Sequence, residues 1–176
     1  LGAGGDAGES RAAAARAGYH LVRSIDELKA FDPASGKRLL GVFGQYNMQY
    51  MVRRRGDTSE PTLAEMTRVA LAALGRDERP FFVMIEGSKI DTAGHANSAW
   101  ELAGEMLAFD EAAKVVCDWL DANEGWDDTL VMVLADHETG GVTFKPDEKG
   151  GLSRRDLQRQ SRWSTEGHTA ARVPLF

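Results

Sequence analysis

At 176 residues, 43% of them apolar and 27% charged, the chain is long enough for one domain with a real core, and its ordinary globular composition points to no function by itself. The net charge of −6 argues against a nucleic-acid partner, because a phosphate backbone calls for a basic face; the short run Arg53-Arg54-Arg55 reads as a solvated turn. A single cysteine excludes an internal disulfide framework, no apolar run approaches the roughly 18 residues of a membrane span, and no secretory leader is visible.

The first dozen residues, with Gly2, Gly4, Gly5 and Gly8, predict a loop or linker. The alanine-rich run Arg11 to Ala17 predicts a short helix closed by Gly18, and Tyr19 to Val22 a strand. His20, beside that strand, reads as a packed or surface histidine. Ser24, with Glu27 three residues on, has the pattern of a capping box at a helix start. Arg38 to Phe43 predicts a second strand ended by Gly44, and Asn47 to Gly56 yields no clear element. Ser59-Glu60-Pro61 marks a helix N-terminus, with proline in the first turn where its missing N–H does no harm. Leu63, Met66, Ala70 and Leu74 then share one helical face, and Gly75 closes the element.

From Pro80 onward the pattern is more informative. Phe81 to Ile85 is a continuous apolar run, as is Thr129 to Leu134, and both predict strands buried on two faces. Between them Leu102, Met106, Phe109, Ala113, Val116 and Leu120 recur at alternating spacings of four and three. Glu101, Glu105, Glu111, Lys114 and Asp118 take the other faces, so the segment predicts a long amphipathic helix, stopped at Asn123 and Gly125. Cys117, inside it, reads as a small core residue. Strand, helix and strand of this kind form a βαβ unit, so the fold class is α/β with a mostly parallel sheet flanked by helices. The chain opens on Leu1 and closes on Val173-Pro174-Leu175-Phe176, which reads as the start of another apolar strand; both ends are expected to continue into a longer polypeptide.

Both buried runs lead into metal-binding residue types. The first runs into Glu86, with Asp91 beyond it and His95 four residues further; the second runs into Asp136-His137. In open α/β sheets ligands bind beyond the carboxyl ends of the strands, so these residues are expected at one rim. Carboxylate oxygen with imidazole nitrogen suits zinc or another borderline divalent ion. Asp91 and His95 share a face if the segment is helical, whereas Asp136 and His137 converge only where the chain turns, which Gly140 and Gly141 permit. Gly167-His168-Thr169 adds a third histidine. Singly, each is as well explained by a solvated strand end or a surface helix. Three of the four histidines beside turn glycines are harder to attribute to chance.

The segment Phe82 to Asp91 with Gly94-His95-Ala96-Asn97, the segment Ala135-Asp136-His137-Glu138-Thr139-Gly140-Gly141, and Trp163 to Thr169 followed by Val173-Pro174-Leu175 together resemble the metal-binding motifs of the alkaline phosphatase family. The resemblance covers roughly Gly18 to the C-terminus. It implies that residues 1–176 are the C-terminal part of a single alkaline phosphatase-like α/β domain, incomplete in its sheet. Asp91, His95 and His168 would hold a first zinc ion, Asp136 and His137 a second, and Glu86 would help bind magnesium. The implied reaction is hydrolysis of small phosphate monoesters through a phosphoserine. Two zinc ions roughly 4 Å apart would stabilise both the attacking and the leaving oxygen. The resemblance also implies a periplasmic or secreted location and leaves the oligomeric state open, a homodimer included.

Some features depart from the family pattern. The family's nucleophilic serine follows an aspartate, and none of Ser10, Ser24 or Ser35 has that context. The nucleophile is therefore expected upstream, with the remaining ligands of the second zinc and of magnesium, and the chain alone is expected to be inactive. Glu166 stands where the family more often has glycine, and the resemblance implies that Thr92 occupies a variable position able to tune phosphate affinity. The other readings are a phosphodiesterase or mutase of the same superfamily, or a non-catalytic scaffold whose metal sites only stabilise the fold.

Overall fold

The computed structural model describes residues 7–44, 46–54, 59–145 and 153–176. Of the first dozen residues, expected as a loop, 1–6 lie outside the described residues, as do Arg55, the third arginine of the run, and Gly56, while the chain from Ala7 on is helical instead. The chain divides into two compact units, one of Leu1–Gln49 with Arg53–Ile85, the other of Tyr50–Val52 with Glu86–Phe176.

In the first unit, helix α1 (Ala7–Arg16) begins before the expected start at Arg11; four alanines in its second half favour propagation back through Glu9 and Ser10. Gly18, at φ +82°, turns the chain into strand β1 (Tyr19–Val22). Helix α2 (Ile25–Ala30) and a 3₁₀ turn (Pro33–Ser35) lead to strand β2 (Arg38–Gly41), which pairs with β1 in parallel from Tyr19↔Arg38 to Val22↔Gly41. Ser24 Oγ accepts from Glu27 N at 3.1 Å, as the sequence predicts. The Glu27 carboxylate, however, accepts from Arg23 N at 2.6 Å, so the reciprocal arm closes one residue further upstream. His20 packs its ring against Phe31, with centroids 5.4 Å apart.

Helix α3 (Leu63–Leu74) starts later than Ser59-Glu60-Pro61 suggests, because Thr62 and Glu65 form a full capping box. Thr62 Oγ1 accepts from Glu65 N at 3.1 Å while Glu65 Oε2 accepts from Thr62 N at 2.8 Å. Its buried residues are Ala64, Thr67 and Leu71 rather than the expected Leu63, Met66, Ala70 and Leu74. Small side chains let the helix approach α2 and the 3₁₀ turn, and Thr67 satisfies its hydroxyl on Leu63 O at 2.8 Å. Val22, Leu28, Phe31 and Leu71 form the core of this unit, each burial worth roughly 1.5–3 kcal/mol. Arg54 is not part of a solvated turn. Its side chain is 11% exposed and donates to the carbonyls of Glu60 and Pro61 at 3.2 and 3.0 Å.

The second unit contains helices α4 (Lys89–His95), α5 (Ala99–Ala122) and α6 (Arg154–Gln160) with two short antiparallel pairs. Strand β3 (Glu138–Thr139) pairs with β6 (His168–Thr169), and β4 (Thr143–Phe144) with β5 (Ser161–Arg162). The long helix α5 forms as predicted and its last turn is capped at Asn123. Its buried line is Gly104, Ala108, Ala112 and Leu120, while Met106, expected in the core, is 49% exposed. A Cβ at Gly104 would lie 2.3 Å from Val52 Cγ1, so the small residue admits the Tyr50–Val52 segment. Met51 N donates to Glu105 there at 2.7 Å. Cys117 is half-buried. At α6, Ser153 and then Arg159 hydrogen-bond the Asp156 carboxyl and hold it below its ordinary value.

The two apolar runs do not become strands of one sheet. Among the described residues Phe81 to Ile85 belong to no strand, and Phe82 and Met84 are 87% and 74% exposed. Among the described residues the run from Thr129 meets the C-terminal segment: Val133 and Phe176 exchange two backbone hydrogen bonds of 2.9 Å, beside an antiparallel bridge of Leu134 with Leu175. The predicted apolar strand at the C-terminus therefore engages this run. The parallel pairing that does form lies instead at β1 and β2. Apolar pattern marks where a strand is suited, but a ladder forms only where a second backbone edge is supplied. No helix among the described residues is long and apolar enough to cross a membrane.

Candidate metal centre

Three segments of the second unit meet at one place. Helix α4 sets Asp91 and His95 one turn apart on a common face. It packs on β3 through Gly94, where a Cβ would lie 3.0 Å from Thr139 Cβ, Cγ2 and carbonyl oxygen. The pairing of β3 with β6 then sets Thr139 opposite His168. Gly140 at φ +92° and Gly141 at φ +57° make the turn that follows, and Gly140 exchanges backbone hydrogen bonds with the 164–167 segment.

His95 Nε2 and His168 Nε2 each stand 3.4 Å from Asp91 Oδ1, and 3.1 Å from one another. A tetrahedral ion with ligands at about 2.0–2.1 Å has ligand–ligand edges of about 3.3–3.4 Å, so the three atoms match three corners of a zinc-sized site. His95 donates its other ring proton, on Nδ1, to the Glu166 carbonyl. That leaves a lone pair on Nε2, aimed at a carboxylate oxygen. Facing lone pairs at these distances repel, and either a ring proton shared between the two Nε2 atoms or a metal cation held among the three atoms offsets that repulsion. The site is half-exposed, so an ion can reach it from solvent.

Asp136 and His137 adjoin this triad. His137 stacks on His168 with centroids 3.6 Å apart at 23°, and its Nε2 lies 3.2 Å from Asp136 Oδ2. The backbone bends between them, which is what brings adjacent side chains together; Asp136 is 87% exposed. Glu86 is exposed and stands outside the cluster of Asp91, His95 and His168 among the described residues. Thr92 is also exposed, with its hydroxyl 3.5 Å from Ser88 O. Glu166 contributes its main chain to the site, as the acceptor for His95, and its side chain points to solvent.

Sequence reasoning missed several supporting residues. Asn97, at φ +50°, sets its side-chain amide 2.9 Å from Thr165 O and 3.0 Å from Gly94 O, and the amide orientation that these two carbonyls require turns its nitrogen toward them as donor, joining the end of α4 to the 165 segment. Glu138 accepts from Gly141 N, Val142 N and the Thr169 hydroxyl. Thr139 donates to Asp91 Oδ1 at 2.6 Å. All three lie inside the motifs quoted above, but only the turn glycines beside them hint that the segment must be held in place.

Residues 5–164 match the family model described as alkaline phosphatase. The membrane-bound alkaline phosphatase of Bombyx mori is 41% identical over 120 residues, which is 68% of this chain and 21% of that protein. Alkaline phosphatase 3 of Bacillus subtilis is 35% identical over 132 residues, 75% of this chain and 27% of that protein. The chain thus spans about a quarter of the length of these relatives. The solved alkaline phosphatase from the Antarctic bacterium TAB5 matches with a TM-score of 0.73 at 28% identity, over 94% of this chain and 46% of that one. A variant of the TAB5 enzyme with magnesium bound matches with a TM-score of 0.72 over 95% of this chain. The architecture is an incomplete version of the α/β fold of these enzymes.

Proposed function

Because the chain belongs to the alkaline phosphatase family, we propose that it serves phosphate-monoester hydrolysis by carrying the metal-binding share of an active site for two zinc ions and one magnesium ion. Asp91, His95 and His168 hold the first zinc, Asp136 and His137 contribute to the second, and Glu86 contributes to the magnesium. The observation that supports this most directly is the spacing of 3.1–3.4 Å among Asp91 Oδ1, His95 Nε2 and His168 Nε2. When bound, such cations stabilise the charge that builds on the attacking and leaving oxygens of phosphoryl transfer. The chain's own part is to orient lone pairs: the Glu166 carbonyl fixes the His95 ring, and the bend at Asp136 aims two ligands one way.

In this reading the nucleophile is a serine beyond these 176 residues, since no serine here directly follows an aspartate. The match to the family model runs across both compact units and supports reading them as parts of one domain. A periplasmic or secreted location and a homodimer go with the same reading. Zinc titration of the purified protein tests it. About one zinc is expected to bind tightly, and His95→Ala or His168→Ala is expected to weaken it by more than the roughly 10–100-fold typical of an outer-shell loss. Circular dichroism should show both variants folded. Variants that bind zinc like the parent would overturn the ligand assignment, and robust zinc-dependent hydrolysis of aryl phosphates by the 176 residues alone would overturn the placement of the nucleophile.

A further inference from the structure

We propose that Thr139 is the positioning residue that ties the two halves of the metal centre together, an inference that rests on reading Asp91, His95 and His168 as ligands. The register of β3 against β6 sets Thr139 opposite His168. From there Thr139 Oγ1 donates to Asp91 Oδ1 at 2.6 Å and stands 3.2 Å from His137 Nδ1. One hydroxyl therefore touches the carboxylate of one half-site and the imidazole of the other.

The proton count fixes what that contact does. A hydroxyl has one hydrogen and otherwise only lone pairs, and an ionised carboxylate can only accept. With its hydrogen committed to Asp91, Thr139 Oγ1 can only accept from His137. His137 then carries a proton on Nδ1, which leaves Nε2, the atom 3.2 Å from Asp136 Oδ2, as the nitrogen available to a metal. The same hydroxyl holds Asp91 Oδ1 where it stands 3.4 Å from both His95 Nε2 and His168 Nε2. Thr139 thus sets a tautomer in one half-site and a carboxylate orientation in the other.

The branched side chain suits the task. Its methyl packs on Gly94, where an added Cβ would already lie 3.0 Å from Thr139 Cγ2. With one branch held there, the staggered rotamer that aims the hydroxyl at Asp91 is locked. Serine keeps the hydroxyl and loses the lock, while valine keeps the shape and loses the hydroxyl. Thr139 touches no reacting atom and acts through the residues it orients.

The test is metal binding, read without reference to turnover. Zinc affinity and the visible spectrum of the cobalt-substituted protein are measured for the parent, Thr139→Val and Thr139→Ser. Thr139→Val is expected to lose about 10–100-fold in zinc affinity and to shift the cobalt bands, with Thr139→Ser recovering most of the loss. Nitrogen NMR of the parent is expected to show His137 protonated on Nδ1. Parent binding that Thr139→Val matches, with an unchanged cobalt spectrum, sinks this proposal alone; a parent that takes up no zinc sinks the ligand assignment and this proposal with it. If valine disturbs folding, the NMR still decides, because a His137 ring protonated on Nε2 is incompatible with the proposed contact.

Discussion

Glu138 shows how a side chain outside the proposed ligand set can hold the segments that carry its members. Oε2 accepts from Gly141 N at 3.1 Å and from the Thr169 hydroxyl, while Oε1 accepts from Val142 N at 3.3 Å. One carboxylate thereby clamps the glycine turn to β6, the strand that carries His168. Truncation strands partly buried N–H donors, and each group left unsatisfied costs roughly 1–3 kcal/mol. Glu138→Ala is therefore expected to lower stability in urea by about 1–3 kcal/mol and to weaken zinc binding, with Glu138→Gln intermediate in both. A loss within experimental scatter for Glu138→Ala would mean that water takes over these donors and that the clamp is dispensable. Neither Glu138 nor Thr139 could be picked out from the sequence. The Thr139 contact with Asp91 spans 48 residues, and no local spacing rule reaches that far. The residues proposed as ligands, by contrast, stood out as candidates in the sequence, since histidine and aspartate beside turn glycines are unusual residue types for such places.

At the level of elements, the helices were easier to read than their buried faces. Periodicity found α5, yet it named Met106 for the core and passed over Gly104, Ala108 and Ala112. Apolar spacing weighs side-chain size, whereas the closest approach of two elements selects for smallness. The two apolar runs failed as strands for a different reason, because a ladder is a property of a pair and the sequence of one edge does not contain the other. The contact of α4 with β3 depends on smallness in the same way. Alanine at Gly94 would gain up to about 1 kcal/mol in helix propensity. Its Cβ, however, would sit 3.0 Å from the Cβ, Cγ2 and carbonyl oxygen of Thr139, and neither a strand backbone nor a β-branched side chain can swing away. Overpacking of this kind costs typically 1–3 kcal/mol. Gly94→Ala is therefore expected to be a net loss of stability in chemical denaturation, with weaker zinc binding as α4 lifts from β3. A stabilised variant would show that the contact has slack.

At the level of the whole molecule, every residue assigned to the first zinc lies in the unit of Tyr50–Val52 and Glu86–Phe176, on segments separated by 73 residues of sequence between His95 and His168. An ion held by those segments closes a long loop and binds only the folded arrangement, so it stabilises by mass action. At free zinc about 100-fold above the dissociation constant the gain is about 2.7 kcal/mol. Proteins open locally in cooperative parts, each with its own free energy. Hydrogen exchange measured with zinc and then with a chelator is thus expected to show the gain at α4, β3 and β6, and little change at β1 and β2, which belong to the other unit. Equal slowing at β1 and β2 would show that the two units open as one cooperative body. No slowing at α4 and β6 would mean that the converging nitrogens and carboxylate oxygen do not hold the ion, because an ion that bound all three could not leave the folded state's opening equilibrium unchanged.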